Sequence, residues 1–288
     1  MKFLDGLSED SQKNLLKQLT VYWTHSSNAI EGNTLTIGET EFVISEGLTV
    51  NGKPLKDHMD AEGHARAVQL IMNLCTRDEL TETDLFDIHR LVISDKIIDV
   101  YKPVGHWKNT HNSTTMFVND KSMTINYSPE WETPELMVRW IELLNTSIRE
   151  SETPDDACQA YSRLHVSFVS IHPFYDGNGR VARLISNMPC LKAGFPPIVI
   201  DNGRKYEYLQ LLAEYQLANG VPGLKTSLVF EGKEFDEITA FFRENWQPTI
   251  DLVEATHKNQ KEIDRVRQEQ CHNKSFSRGA AEIAEKTP

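Results

Sequence analysis

Two apolar stretches at helical spacing, separated by seven residues that read as a break, constrain this chain more than any other feature. Ala157, Ala160, Tyr161, Leu164, Phe168 and Ile171 recur at i, i+3 and i+4, and Val181, Leu184, Ile185, Met188 and Leu191 do so again. Between them, Pro173 to Gly179 contains a proline, which lacks a backbone donor, and two glycines that tolerate unusual backbone angles. Thr153-Pro154-Asp155-Asp156 starts the first helix with an N-cap, a first-turn proline and two acids that suit the positive end of the helix dipole. Gly194, just before Pro196-Pro197, stops the second. The pattern predicts two helices with a short polar turn at their junction.

Helical periodicity extends through most of the remaining chain. Residues 9–31 carry Leu15, Leu16, Leu19, Tyr22, Trp23 and Ile30 near helical spacing, with Gly32-Asn33 as the stop. Residues 37–47 and 57–75 read as helices separated by Asn51-Gly52-Lys53-Pro54, and Thr81–Val92 and 133–149 as two more. Further helices are predicted over 204–219, 234–246 and 250–270, the last charged, with Asn273–Pro288 frayed. Only 101–130 differs: Met116-Phe117-Val118 and Met123-Thr124-Ile125 flank the polar Asn119–Ser122, as in a small hairpin. The expected fold class is all-α, a helical bundle with one β-hairpin. It divides into an N-terminal helical segment (1–36), a main domain (37–248) and a charged helical tail (249–288).

Composition narrows the function. With 288 residues and 39% hydrophobic content, a core of ordinary size forms without staples. The net charge of −12 argues against nucleic acid as a partner, which needs a clustered basic face, but not against a nucleotide, which needs only local cations. Cys75, Cys158, Cys190 and Cys271 form no CxxC pair and read as free thiols in a reducing compartment. No stretch has the apolar length of a signal peptide core or a membrane span, so the expectation is a cytoplasmic protein with no membrane contact.

The turn between the two central helices carries the chemistry. It reads His172-Pro173-Phe174-Tyr175-Asp176-Gly177-Asn178-Gly179-Arg180, with Arg183 one turn later. Gly177, Asn178 and Gly179 have the freedom to aim successive N–H groups at one anion, and the helix that follows presents its positive end to the same point. Arg180 and Arg183 suit phosphate oxygens, and Asp176 is placed where a hard cation bridging phosphates wants an oxygen ligand. His172, at the end of the preceding helix, is the side chain suited to removing a hydroxyl proton near neutral pH. A turn that combines a base, a metal ligand, an anion nest and two arginines reads as a phosphate site.

His172–Arg183 matches at every defining position the HPFxDGNGRxxR signature, and the chain resembles the Fic family. Leu164-His165, Phe168-Val169 and Ala193-Gly194-Phe195-Pro196-Pro197 resemble it too, and the likeness extends more loosely over about residues 20–245. The resemblance implies an all-α fold with a β-hairpin flap and transfer of AMP from ATP to a Ser, Thr or Tyr hydroxyl of a protein target. It implies His172 as general base, Asp176 as ligand to Mg²⁺ (or Mn²⁺), and Phe174, Gly177, Asn178, Gly179, Arg180 and Arg183 as nucleotide-binding, Arg183 at the γ-phosphate. Tyr208 and Gln216 fall where adenine contacts would be, and Met116, Phe117 and Val118 on the flap that docks the target. A phosphorylating relative has Lys where this chain keeps Gly179, which favours AMP transfer. A phosphocholine-transferring relative keeps much of the signature, so CDP-choline, GTP and UTP stay open as donors, as does a non-catalytic nucleotide-sensing or adaptor module. Two departures stand near the flap: Gly105-His106-Trp107-Lys108 replaces an aromatic-x-Arg, and Ser128-Pro129 a Pro-Pro.

A second segment, Ser27-Asn28-Ala29-Ile30-Glu31-Gly32-Asn33, looks like the (S/T)xxxE(G/N) inhibitory helix of many Fic proteins. The resemblance implies that Glu31, with Ser27 and Gly32, pairs with Arg183 and takes the donor that the γ-phosphate needs. The same glutamate would orient water for AMP removal, as in some relatives. His25, His58, His64, His89, His106 and His111 show no metal-ligand spacing and read as structural or solvated. The 250–270 segment reads as a solvated helix, with a homodimer contact as the alternative.

Overall fold

The computed structural model describes residues 1–93, 102–118 and 121–284, and only the backbone of 116–118, 121 and 270–284. Helix α1 spans Glu9–Ile30, capped by Ser8, whose hydroxyl accepts from the Ser11 N–H at 3.3 Å. Next come α2 (Ile37–Glu46) and α3 (Leu55–Leu74), then α4 (Glu82–Val92). Thr36 with Glu39, and Thr81 with Asp84, form reciprocal capping boxes that satisfy the first donors of α2 and α4. Gly63 lies where α3 crosses α4, and a Cβ there would stand 2.2 Å from the Leu91 carbonyl oxygen.

The predicted hairpin is present and longer than its apolar triplets suggested. Strand β1 (Ser113–Val118) pairs antiparallel with β2 (Lys121–Asn126), in register from Ser113↔Asn126 to Val118↔Lys121. Asn119 and Asp120, the first two residues of the expected polar turn, lie outside the described residues. The molecule is built around α5 (Thr133–Glu150) and α6 (Pro154–Ile171). Leu136, Trp140 and Leu144 meet Tyr161, Leu164 and Phe168, all fully buried, and the Trp140 indole donates to Leu164 O at 3.1 Å. Removing these side chains from water supplies the main stabilising free energy of the bundle.

The helix expected over 181–191 is two, α7 (Asn178–Ile185) and α8 (Met188–Ala193). Asn187 explains the break. Its amide accepts from Ile198 N at 2.7 Å and donates to Ile198 O at 3.0 Å and to Arg183 O at 2.9 Å. A side chain that satisfies main-chain groups in this way competes with the helix ladder. Helix α9 spans Lys205–Asn219. The two helices expected over 234–246 and 250–270 are one, α10 (Lys233–Ala284), with Pro248 inside it. Contacts on both sides of Pro248 hold that run together: Trp246 Nε1 donates to Pro196 O at 2.8 Å and Thr249 Oγ1 to Pro197 O at 2.7 Å. The expected fraying does not begin at 273, because α10 continues to Ala284; residues 285–288 and the Cys271 thiol lie outside the described residues. Cys75, Cys158 and Cys190 are free thiols. Among the described residues no helix is long and apolar enough to cross a membrane.

Candidate active site

The signature turn joins α6 to α7. His172 is the C-cap of α6 and takes φ 54°, the only non-glycine residue with positive φ among those described. A side chain in this left-handed region is strained and persists only where its surroundings over-determine it. Here they do. The His172 N–H donates to Phe168 O at 2.8 Å, and the ring stacks on Tyr127 with centroids 3.7 Å apart and planes 10° apart. Nδ1 stands 3.3 Å from the Val169 carbonyl oxygen, which only accepts, so Nδ1 carries the proton and Nε2 keeps its lone pair. Burial pushes the imidazole down to about 3, and the nearby Lys108 ammonium pushes the same way, although the half-buried ring edge faces the cavity. The ring is therefore neutral in the nucleotide-free state.

Beyond the histidine the turn is tied internally. Asn178 Oδ1 accepts from Phe174 N and its Nδ2 donates to Phe174 O, both at 2.8 Å, so its side chain staples the turn and its backbone opens α7. Gly177 takes φ 77° at the N-cap of α7, where a Cβ would meet Ile93 at 2.8 Å. Asp176 is exposed, with Oδ1 accepting from Gly177 N at 2.6 Å. Phe174 is fully buried, stacked on His89 with centroids 3.8 Å apart, so it supports the turn from beneath.

The two arginines part company. Arg183 stays under the site and is 3% exposed. Its Nε donates to Ser27 Oγ at 3.0 Å, and Nη2 donates to Ser27 O at 2.9 Å and to Glu31 Oε1 at 2.6 Å. Arg180 points into the interior, where Nη1 donates to Asp60 Oδ1 at 3.0 Å and Val92 O at 3.1 Å. Its guanidinium braces α7 against α3 and α4, and only its backbone belongs to the turn's first helical residues. Asp60 was not anticipated, yet a signal existed: Asp57, Asp60 and His64 sit at i, i+3 and i+7 among apolar residues of α3, a polar stripe on a buried face.

Glu31 caps α1, and Gly32 follows it in the left-handed region at φ 96°. The carboxylate is half exposed to the cavity, 44% by side chain, against 3% for its partner Arg183. Burial by itself raises the Glu31 pKa, but the charge and hydrogen bond of Arg183 outweigh it and hold the carboxyl below its usual range. Tyr208 lies beneath Arg183, fully buried: its hydroxyl is 3.1 Å from His165 Nε2 and 3.5 Å from Arg183 Nη1. Gln216 Nε2 reaches Val169 O at 3.4 Å and Ser170 Oγ at 3.3 Å.

Glu31, His172, Asp176, Gly177, Asn178, Gly179, Arg183, Tyr208 and Gln216 meet around one cavity of about 260 Å³, also lined by Thr114 at the hairpin and by Tyr127. Residues Met116, Phe117 and Val118 lie on β1 of the same hairpin, with no side-chain description. A Cβ on Gly179 would fall 2.8 Å from Glu31 Oε1 and 3.1 Å from Arg183 Nη1, so glycine is what lets the carboxylate lie over the start of α7. Among the described residues no three His, Cys, Asp or Glu side chains cluster as metal ligands.

Comparison with known proteins agrees with this geometry. The Fic/DOC family model matches residues 79–190. Protein adenylyltransferase Fic of Nematostella vectensis is 30% identical over 204 residues, 68% of this chain and 44% of the relative. Protein adenylyltransferase fic-1 of Caenorhabditis elegans is 28% identical over 203 residues, 68% of this chain and 36% of the relative. The chain thus spans less than half the length of these curated relatives. Among solved structures, a Fic domain containing signaling protein from Bacteroides thetaiotaomicron superposes with a TM-score of 0.74 at 26% identity, covering 90% of this chain and 93% of the other. Fic-1 (aa134–508) from C. elegans shares the fold, with a TM-score of 0.68 at 22% identity over 91% and 69% of the two chains. A matching family model, named relatives and a shared fold converge on one assignment: residues 79–190 match the Fic/DOC family, and the chain is similar to Fic proteins over most of its length.

Proposed function

We propose that this chain is a protein adenylyltransferase, which transfers AMP from ATP to a Ser, Thr or Tyr hydroxyl of a protein target and is restrained by its own Glu31. The carrying observation is the cavity in which a neutral His172 faces the start of α7 while Glu31 holds Arg183. The names of the curated relatives support the choice of reaction.

His172 Nε2 takes the proton of the target hydroxyl, and the freed oxygen attacks the α-phosphorus of ATP as the bond to pyrophosphate breaks. Backbone N–H groups of Gly177–Gly179 and the dipole of α7 receive the charge that develops on the phosphoryl oxygens. A bound triphosphate surrounds the imidazole with negative charge and raises its pKa from the low value of the empty cavity, which makes it a better base. The residues present fit a magnesium ion: Asp176 is an exposed carboxylate at the cavity edge with no cation paired to it among the ion pairs described, and Mg²⁺ is commonly bound by one or two carboxylates with substrate phosphates and water. Bound there, it would neutralise phosphate charge. Free thiols at Cys75, Cys158 and Cys190 fit a reducing, cytoplasmic setting.

Restraint follows from competition. Arg183 Nη2 is already engaged by Ser27 and Glu31, so a γ-phosphate gains that donor only by displacing the carboxylate. A charge-assisted contact contributes about 1.5–3 kcal/mol net. At about 1.4 kcal/mol per tenfold, that is roughly a ten- to hundredfold restraint.

Intact-mass spectrometry after incubation with Mg·ATP and a cell lysate tests the reading. Glu31→Gly is expected to add the mass of AMP to itself or to a lysate protein, and Glu31→Gly combined with His172→Ala to add none. A gain only with CDP-choline, GTP or UTP would replace the donor, and no gain with any donor would refute transferase activity.

A further inference from the structure

Lys108 is an unexpected residue to find buried. It is 3% exposed, and its ammonium donates to Ser128 O at 2.7 Å, Asn112 Oδ1 at 2.8 Å and Ile171 O at 3.0 Å. Three acceptors match the three donors of the charged form. Asn112 and Ser128 flank the hairpin, one just before β1 and the other two residues after β2. Together these residues grip five successive carbonyls of the turn that carries His172. Ser128 N donates to Ser170 O at 3.3 Å, and Lys108 Nζ to Ile171 O at 3.0 Å. Asn112 Nδ2 reaches His172 O at 3.5 Å, Lys108 N donates to Pro173 O at 2.8 Å, and Asn112 Nδ2 donates to Phe174 O at 3.0 Å. The strained backbone of His172 sits in the middle of this run.

We propose that Lys108 is a positioning residue for AMP transfer, one that clamps the turn bearing His172 to the stem of the hairpin. The inference rests on the reading of His172 as the base. A lysine is costly to bury and its flexible stem must be ordered, so a hydrophobic residue would serve better if the position only filled space. What the ammonium supplies is a point from which three directions are fixed at once: the hairpin's entry, its exit and the residue preceding the histidine. Arginine, planar and longer, does not reproduce that geometry. A displacement of about 1 Å at a reacting group costs about a hundredfold in rate, which is the scale on which the clamp matters.

The test compares Lys108→Met and Lys108→Arg, made in the Glu31→Gly background, and adds an NMR titration of the His172 imidazole in the wild-type and Lys108→Met proteins. Lys108→Met is expected to lower kcat about ten- to hundredfold with KM for ATP within about twofold. Tyr127 stacks on the imidazole, the Lys108 and Glu31 charges act on it in opposite directions, and Asp176 and Arg183 line the same cavity. Removing the Lys108 cation is expected to move its titration to higher pH, since that cation disfavours the imidazolium. Lys108→Arg keeps the charge and is expected to lose kcat while recovering most of the titration shift. Unchanged kcat in Lys108→Met, or an imidazole that titrates as in wild type, would overturn the proposal. If the Glu31→Gly parent transferred no AMP, the transferase reading would fall, and the titration would still decide the clamp.

Discussion

At the scale of single residues, function concentrates on atoms whose protonation or partner is fixed by the fold. His172 has one nitrogen committed to Val169 O and the other turned to the cavity. Replacing it with alanine should reduce AMP transfer by about 10²–10⁴-fold, the usual contribution of a positioned base, while ATP binding followed by calorimetry stays close to that of the parent. Arg180 makes a different prediction. Its partner Asp60 is as buried as it is, with side-chain exposures of 7% and 6%. Asp60→Ala leaves an uncompensated guanidinium inside the protein and should cost about 3–5 kcal/mol in denaturant unfolding. An effect below about 1 kcal/mol would mean that Arg180 finds another anchor. The make-up of the turn was legible in the sequence because His172, Asp176 and the glycines are adjacent there. The direction of the Arg180 side chain was not, because its partner lies 120 positions away, on α3.

At the scale of elements, periodicity located nearly every helix, and its failures have local causes. Asn187 ends α7 through three side-chain hydrogen bonds to the backbone, which a count of apolar positions does not register. Pro248 failed to divide α10 because Trp246 and Thr249 fasten that helix to Pro196 and Pro197. Tertiary contacts outweighed local propensity at both places. The α3–α4 crossing tests the same principle in reverse. With Leu91 O 2.2 Å from where a Gly63 Cβ would stand, Gly63→Ala must push the helices apart. It should destabilise by about 1–3 kcal/mol, as overpacked substitutions do, despite alanine's better helix propensity. A neutral or stabilising result would show that the crossing yields easily.

At the scale of the molecule, the site is assembled from distant parts of one chain: α1 brings Glu31, α6 and α7 the turn, α9 Tyr208 and Gln216, and the hairpin covers one side. The segment that ends in Glu31 is packed into the core through Leu15, Leu19, Trp23 and Ile30, so the proposed restraint would be built into the fold. Acid should expose this. Burial lowers the pKa of His64 and His165 well below 6.5, of His89 to about 4 and of His172 to about 3. The unfolded chain therefore binds more protons than the folded one as pH falls through 6.5 toward 4, and stability must fall over that window. The paired Glu31 adds to the same trend lower down, near the ordinary carboxylate range. Calorimetry from pH 7.5 to 4 should show a falling Tm, steepest below 6.5; a flat Tm would mean that these imidazoles are not held neutral.

On the proposed reading, Glu31 and the terminal phosphate of ATP compete for Arg183. A direct measurement is the initial rate of AMP incorporation by Glu31→Gly relative to wild type at Mg·ATP well below saturation. The competition predicts a rate raised about ten- to hundredfold, the kinetic equivalent of one charge-assisted contact. Equal rates, with His172 intact and the protein folded, would contradict it.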